Sequence, residues 1–328
     1  MSGCSPRSST PAIATVVSQV PSRPHTPPFS NQLPLDPPAY AFPKHRLKSV
    51  MEFPDREPVV LVACGSFSPI TYLHLRMFEM AMDYFADQTQ FEVLGGYFSP
   101  VADGYAKCGL TNWFHRVKMC ELAVIGSTWL MVDPWEPSQS FYVRTAPVLD
   151  HFHECLNVDD AGGVALPDGS RRRIRIMLLA GGDLIQSFAL ANVWSEKDLN
   201  HIIGDYGCVI IERTGTDVAE VLLTNDPLHK QRKNVFVVKQ YIHNDISSTK
   251  IRLFVKRGMS IKYLVPDDVM HYIHEKHLYE APEISASPNR GLSSSANGLL
   301  PTSCNSSVTN GSSRLVNEIT DVELGIDD

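Results

Sequence analysis

Short apolar runs alternate with segments of helical periodicity between about residues 59 and 279. The first run, residues 59–63, is continuously apolar, which is typical of a strand buried on both faces of a parallel sheet. Apolar residues then recur at the three- to four-residue spacing of a helix over about 73–84. Further strands are predicted at 91–95, 174–179, 208–212 and 234–238, and helices at 113–125, 140–155, 184–189 and 196–203. This order predicts an α/β fold with a doubly wound parallel sheet, Rossmann-like, whose ligands bind outside the carboxyl ends of the strands.

The two ends of the chain differ from this pattern. Residues 1–50 contain ten prolines and one acidic residue, and residues 281–328 are rich in Ser and Asn. Neither segment has enough apolar residues to offset the entropy of ordering, so we expect disordered N- and C-terminal tails. One folded domain is therefore predicted at 51–280, with a surface insertion at about 157–173.

Composition excludes several classes of protein. The net charge of −7 argues against general attraction to nucleic acid or anionic membranes, and no apolar run approaches the length of a membrane span. The seven cysteines include no CxxC pair, which favours reduced thiols over a disulfide framework or a zinc site. The chain starts with no signal-peptide pattern. We expect a protein of the nucleus or the cytoplasm, and the pattern does not choose between them.

A first candidate motif follows the first predicted strand. From Gly65 to His74 the chain reads Gly-Ser-Phe-Ser-Pro-Ile-Thr-Tyr-Leu-His, a tight turn that opens a helix. Unpaired amides and the positive end of the helix dipole make such a position an anion site. His74 lies near the start of that helix and has the chemistry to donate hydrogen bonds to phosphate oxygens.

A second motif lies near the end of the predicted domain. From Asn244 to Arg252 the chain reads Asn-Asp-Ile-Ser-Ser-Thr-Lys-Ile-Arg, in which Asp245 or Ser247 would cap a helix. Hydroxyls, free amides, an ammonium and a guanidinium at one helix start form a polyphosphate clamp. The glycine pattern of dinucleotide-binding proteins and the Walker lysine loop are both absent, which counts against a dehydrogenase and a P-loop enzyme.

Together the two motifs resemble the HxGH-type and SSTxxR-type signatures of the nucleotidyltransferase superfamily. More narrowly, they resemble the eukaryotic nicotinamide/nicotinate mononucleotide adenylyltransferases, in which a threonine commonly stands at the position of Thr71. The likeness extends over residues 59–279 and leaves out both tails and the insertion. Further ordered matches lie at 99–107, 115–117, 132–136, 180–183, 193–194, 206–210 and 262–266.

The resemblance implies transfer of the adenylyl group of ATP to nicotinamide mononucleotide, and to its acid analogue, with release of pyrophosphate. It implies catalytic roles for His74, Lys250 and Arg252. The implied ATP-binding residues are Gly65, Ser66, Phe67, His74, Ser248, Thr249, Lys250 and Arg252. The implied mononucleotide-binding residues are Tyr105, Lys107, Trp135, Gly181, Asp183, Trp194, Arg213 and Asn244, of which the two tryptophans would form the pocket for the pyridine ring.

The chemistry of this reaction asks little of a general base, because the mononucleotide phosphate is already an ionised nucleophile. In-line transfer then depends on positioning and charge neutralisation. We expect Mg²⁺ carried mainly by the ATP phosphates, without a dedicated protein site. Ser68 and Gln240 depart from the residues usual in the family, so the preference between amide and acid substrates stays open.

Three other interpretations are weighed against this one. A related cytidylyltransferase would use CTP and a phosphorylated alcohol, and a chaperone-like protein would keep the fold without turnover. His151, His153 and Cys155 suggest a metal site, but residues two apart on a helix point in different directions. We expect a structural or solvated role for them. Homo-oligomerisation is compatible with the sequence and is not indicated by it.

Overall fold

The computed structural model describes residues 40–281, apart from 106, 108, 159–161, 189, 191–192 and 213–216. The strands of this part are β1 (Glu57–Gly65), β2 (Phe91–Pro100), β3 (Leu130–Val132), β4 (Val164–Ala165), β5 (Arg171–Arg172), β6 (Arg175–Gly181), β7 (Cys208–Glu212) and β8 (Val235–Lys239). The α-helices are α1 (Tyr72–Gln88), α2 (Trp113–Ala123), α3 (Thr145–Asn157), α4 (Gly182–Phe188), α5 (Glu196–Leu199), α6 (Val218–Thr224), α7 (Asp226–Gln231), α8 (Ser248–Lys256) and α9 (Asp267–Glu275). A π-helical stretch, Asn200–Tyr206, continues α5.

The main sheet is parallel, with strand order β3-β2-β1-β6-β7-β8. Alternate residues of β1 enter two separate apolar layers, with Val60 and Val62 on one face and Val59 and Leu61 on the other. One layer contains buried residues of α3, α4 and the π-helical stretch, and the other contains residues of α1, α2 and α9. The predicted doubly wound α/β fold is therefore confirmed.

The strand order locates the expected ligand site. From β1 the chain adds β2 and β3 on one side, and later adds β6, β7 and β8 on the other side. The direction of winding thus changes between β1 and β6, and the helices there lie on opposite faces of the sheet. In open α/β sheets this switch point forms a crevice at the carboxyl ends of the strands.

Some element boundaries differ from the predicted ones. The second strand runs on to Pro100, and the helix predicted at 140–155 begins at Thr145. The strand β3 has three residues, too few to show an alternating pattern, and the sequence analysis did not predict it. It pairs with residues 96–98 of β2 and forms one edge strand of the sheet.

Residues 40–50 pack against the sheet, which differs from the predicted disorder up to about residue 50. The backbone N–H of Lys48 donates to Leu94 O at 3.0 Å, and the Tyr97 hydroxyl donates to Pro43 O at 2.8 Å. The Phe42 ring packs against those of Tyr97 and Phe152. The disorder was predicted from the mean composition of residues 1–50, in which ten prolines outweigh the few aromatic residues at 40–42. Residues 1–39 and 282–328 lie outside the described residues, and their predicted disorder stays a prediction.

The predicted surface insertion contains a short antiparallel hairpin formed by β4 and β5. Arg172, which lies within the predicted insertion, donates to the carbonyl oxygens of Pro54 and Arg56 at 2.7 Å each. The hairpin therefore packs against the segment that leads into β1. None of the helices in the described ranges combines the length and the apolar character that crossing a membrane requires.

His201 joins α3 to the π-helical stretch, with Nε2 2.6 Å from Asp150 Oδ1 and Nδ1 2.6 Å from Asp205 Oδ2. Burial lowers the pKa of His201, but the hydrogen bonds and charges of Asp205 and Asp150 outweigh it, so the pKa is raised. Because its pKa is higher in the folded state, protonated His201 adds to the free energy of unfolding. This contribution is complete below the unfolded-state pKa, about 6.5, and is lost as the pH rises through the folded-state pKa.

We therefore expect His201→Gln to lower the melting temperature more at about pH 5.5 than at about pH 9. The exposed His271 on α9 offers a matched control, since His271→Gln should change the melting temperature little at either pH. Thermal unfolding followed by circular dichroism measures both. An equal loss for His201→Gln at the two pH values would contradict the pairing.

Candidate active site

The turn after β1 has an unusual backbone held by aromatic packing. Phe67 has a φ of 46°, in the left-handed region that a non-glycine residue rarely occupies. Its ring is fully buried, 5.1 Å from the ring of Phe98 and 5.3 Å from that of His74. This burial offsets the backbone cost and turns the chain from β1 into α1.

His74 is 4% exposed and lies in the first turn of α1. Its Nδ1 is 2.9 Å from the backbone nitrogen of Thr71 and 2.9 Å from the Thr71 hydroxyl. Because the backbone N–H can only donate, Nδ1 is the acceptor, and a neutral ring carries its proton on Nε2. Nε2 is therefore a hydrogen-bond donor at the start of this helix.

The second motif folds as the sequence predicts, with α8 beginning at Ser248. The side chain of Ser247 caps the helix by accepting from the backbone N–H of Lys250 at 3.2 Å. Thr249 and Lys250 are exposed, and the Lys250 ammonium donates to Asp245 O at 3.0 Å. Hydroxyls, free amides and cations are thus present together in one helical turn, as a clamp for phosphates requires.

The two motifs touch, although almost the whole domain separates them in the chain. The Ser248 hydroxyl donates to Pro69 O at 2.7 Å, and Arg252 Nη1 donates to Ser68 O at 2.7 Å. Arg252 Nη2 also donates to the Thr249 hydroxyl at 3.0 Å. The structure therefore brings the starts of α1 and α8 together, and both helix dipoles place positive potential beside this contact.

The residues implied for the mononucleotide follow the carboxyl ends of strands in the same sheet. Tyr105 and Lys107 lie in the loop after β2, and Trp135 follows β3. Gly181 ends β6 and Asp183 lies in the first turn of α4. All of them therefore lie on the edge where a doubly wound sheet binds ligands.

The remaining predicted residues lie further along the chain. Trp194 donates from Nε1 to the Ser187 hydroxyl at 3.0 Å and packs edge-to-face on Phe188. Asn244 accepts from the backbone N–H of Ile246 at 3.0 Å, just before α8. Arg213 lies outside the described residues. Trp135 and Trp194 pack on the same core layer, so each combines a core contact with partial exposure.

Arg116 is a residue to which the sequence analysis gave no role. It is fully buried, and it donates to Ser66 O at 3.1 Å, to Thr111 O at 2.8 Å and to the carboxylate of Asp103 at 2.9 Å. A buried guanidinium needs such partners, and here they lie in the turn after β1 and the loop after β2. Arg116 therefore fixes these two loops relative to each other.

A second unassigned group, Glu136, lies under this edge of the sheet at 1% exposure. Its carboxyl accepts from the Ser99 hydroxyl at 2.6 Å. Burial raises the pKa of Glu136 well above its ordinary value, although Ser99 and Arg116 act in the opposite direction. The buried surroundings therefore favour the protonated, neutral form of this carboxyl group over its charged form.

We accordingly expect Glu136→Gln to preserve the fold and the activity to within about twofold. A folded-state pKa above the unfolded value means that the wild type loses stability as the pH rises from the unfolded-state pKa. Glutamine lacks this loss, so the melting temperature of the variant relative to wild type should be higher at about pH 8 than at about pH 5. Scanning calorimetry at both pH values checks the sign, and a lower relative melting temperature at about pH 8 would contradict the raised pKa of Glu136.

Comparison with known proteins shows the family. The family model described as cytidylyltransferase-like matches residues 62–254. Over 241 residues, 73% of this chain, the sequence is 57% identical to nicotinamide/nicotinic acid mononucleotide adenylyltransferase 2 of Saccharomyces cerevisiae, of which 61% is covered. Over 245 residues, 74% of this chain, it is 57% identical to the corresponding protein of Schizosaccharomyces pombe, of which 66% is covered.

A third relative is covered almost completely. The sequence is 40% identical over 258 residues, 70% of this chain, to nicotinamide/nicotinic acid mononucleotide adenylyltransferase 1 of Bos taurus, of which 92% is covered. By contrast, the chain spans about three fifths of the length of the two Saccharomyces cerevisiae relatives that it matches. With the two motifs joined at the switch point of the sheet, these identities show that the chain belongs to the family of nicotinamide/nicotinic acid mononucleotide adenylyltransferases.

Proposed function

We propose that the protein transfers the adenylyl group of ATP to nicotinamide mononucleotide, and also to nicotinate mononucleotide, in the biosynthesis of NAD. The observation that carries the proposal is the direct contact between the starts of α1 and α8, the two helices that contain His74, Lys250 and Arg252. The names of the relatives support the same reaction. The domain predicted at 51–280, extended to Tyr40 by the packing of residues 40–50, would carry this activity.

His74 would act on the phosphate that becomes bonded to the mononucleotide. Because Nδ1 accepts from Thr71, a neutral His74 ring carries its proton on Nε2, and the ring is held between that bond and Phe67. A donor fixed in advance at an oxygen that gains negative charge lowers the barrier without reorganisation. Backbone groups of Gly65, Ser66 and Phe67 would line the same phosphate.

The start of α8 would hold the β- and γ-phosphates, which leave as pyrophosphate. Ser248, Thr249, Lys250 and Arg252 supply hydroxyl, amide and cationic donors there. Mg²⁺ would enter as part of the ATP substrate. The described residues contain no cluster of three or more His, Cys, Asp or Glu side chains suited to a metal.

The mononucleotide would lie along the loops after β2, β3 and β6. Trp135 and Trp194 offer aromatic surface to the positively charged pyridine ring, through stacking and cation–π attraction. Tyr105, Lys107, Gly181, Asp183, Arg213 and Asn244 complete the proposed set of contacts. Because the matching family model is described as cytidylyltransferase-like, the use of CTP in place of ATP is the competing function.

The test is formation of a dinucleotide, with release of pyrophosphate, by the purified full chain. The expected products are NAD from nicotinamide mononucleotide and MgATP, and deamido-NAD when nicotinate mononucleotide is the acceptor. Replacing MgATP by MgCTP would give the corresponding cytidine dinucleotide. We expect turnover with ATP, and a fall in kcat of about 10²- to 10³-fold in His74→Ala, because one preorganised donor is lost. His271→Ala, on the exposed surface of α9, serves as the matched control. A folded protein that binds ATP but forms no dinucleotide from either acceptor would overturn the proposal, and turnover with CTP alone would replace it.

Arg252→Lys tests the clamp separately, because it keeps the charge and removes the fork that reaches Ser68 O and Thr249. We expect the KM for ATP to rise about tenfold, with a smaller change in the KM for the mononucleotide. Arg257→Lys, at the exposed C-terminal end of α8, is the control. Steady-state kinetics with each substrate varied in turn gives both constants, and an unchanged KM for ATP would remove Arg252 from the clamp.

A further inference from the structure

One face of Trp135 is already occupied. The His151 ring of α3 lies parallel to the indole, with ring centroids 4.1 Å apart and an interplanar angle of 5°. His151 is 9% exposed, whereas Trp135 is half-buried. Because an indole has two faces, a flat ligand would have to stack on the face opposite His151. The orientation of the imidazole therefore sets the plane on which such a ligand rests.

Two further side chains hold the imidazole. His151 Nε2 is 2.8 Å from the Tyr40 hydroxyl and 3.2 Å from Asp133 Oδ2. The same hydroxyl donates to Asp133 Oδ1 at 2.9 Å. Burial, followed by the charge of Asp133, raises the pKa of Tyr40, so the hydroxyl stays protonated and keeps donating. The three side chains therefore form a small network, in which the Tyr40 hydroxyl is hydrogen-bonded to both Asp133 and His151.

The network also contacts Trp135 through its backbone. Asp133 is fully buried, and its Oδ1 accepts from the Trp135 backbone N–H at 3.3 Å. The edge of Phe42 packs on the His151 ring, with centroids 5.9 Å apart. Both the main chain and the ring of Trp135 are thus restrained by groups that themselves have little freedom. Restraint of this kind lowers the entropy that a bound ring would otherwise lose.

We propose that Tyr40, Asp133 and His151 are positioning residues for the pyridine ring of the mononucleotide, acting through Trp135. This inference rests on the proposed function, since it concerns the ring that the proposed reaction would bind. Tyr40 comes from the segment before the sheet, outside the domain predicted from sequence at 51–280. The wall of the pocket would then include residues that precede the α/β domain in the chain.

The test compares Tyr40→Phe and His151→Leu with the wild type as full chains. Tyr40→Phe keeps the ring and removes only the hydroxyl that bridges Asp133 and His151. We expect the KM for the mononucleotide to rise about three- to tenfold, the range that follows from one lost hydrogen bond, while kcat and the KM for ATP stay within about twofold. His151→Leu removes the stacked ring and should raise the same KM at least as much.

A matched control is Tyr272→Phe, which removes a hydroxyl 2.9 Å from His115 Nδ1 at the contact between α2 and α9. It should leave the mononucleotide KM unchanged. If Tyr40→Phe also leaves that KM unchanged while the enzyme turns over, the positioning role is wrong. Equal losses in kcat and in both KM values, or a loss confined to the melting temperature, would show a merely structural role and would overturn it as well.

A second measurement needs no turnover and separates this inference from the proposed function. Trp135 is one of four tryptophans, so its emission is isolated by subtraction of a Trp135→Phe variant. We expect Tyr40→Phe to change tryptophan fluorescence in the wild-type background and to change nothing in the Trp135→Phe background. Failure to form NAD together with the expected change in fluorescence would overturn the proposed function and leave only the contact of the network with Trp135. No change in fluorescence in either background would overturn the network.

Discussion

Two hydrogen bonds join the loop before α1 to the start of α8, from Ser248 to Pro69 O and from Arg252 to Ser68 O. Each links a side chain of α8 to a backbone oxygen from the opposite end of the domain. The loop that accepts both bonds connects β1 to α1 in the first βα unit. A helix start alone attracts one anionic group within about a turn. Two helix starts fixed against each other bring the amide and side-chain donors of both helices to one place.

The sheet makes this contact geometrically available. Because the winding changes direction between β1 and β6, the loops after β1 and β6 diverge and leave a crevice between them. The loops after β2 and β3 reach the same edge, and Arg116 fixes the loop after β2 against the turn after β1. The fold thus determines where the site lies, while a small number of buried polar side chains determines how rigid it is.

The sequence predicts the fold and the two motifs because both leave strong local patterns. The continuous apolar run of β1 and the Ser-Ser-Thr-Lys helix start can each be recognised from a segment of fewer than ten residues. The strand β3 was missed since three apolar residues show no periodicity. Packing of Tyr40 could not be predicted because an average over a proline-rich segment hides one aromatic side chain.

Buried polar side chains were missed for a different reason. Arg116 contacts Ser66 and His151 contacts Tyr40, and both partners are distant in the chain. The spacing of nearby residues cannot predict such contacts. Charged and polar residues are usually exposed, so a sequence pattern favours the surface for each of them. Only the three-dimensional arrangement shows that Arg116 is fully buried and that His151 stacks on Trp135.

The left-handed backbone of Phe67 connects the turn after β1, the proposed nucleotide-binding turn, to the hydrophobic core. An isolated peptide of this sequence would avoid that conformation, so the turn takes its shape only when β2 supplies Phe98 and α1 supplies His74. Binding at the turn and folding of the core are then thermodynamically linked. A nucleotide that bound only the formed turn would raise the stability of the whole domain. A substitution that loosened the core around Phe67 would then weaken that complex without contacting the nucleotide.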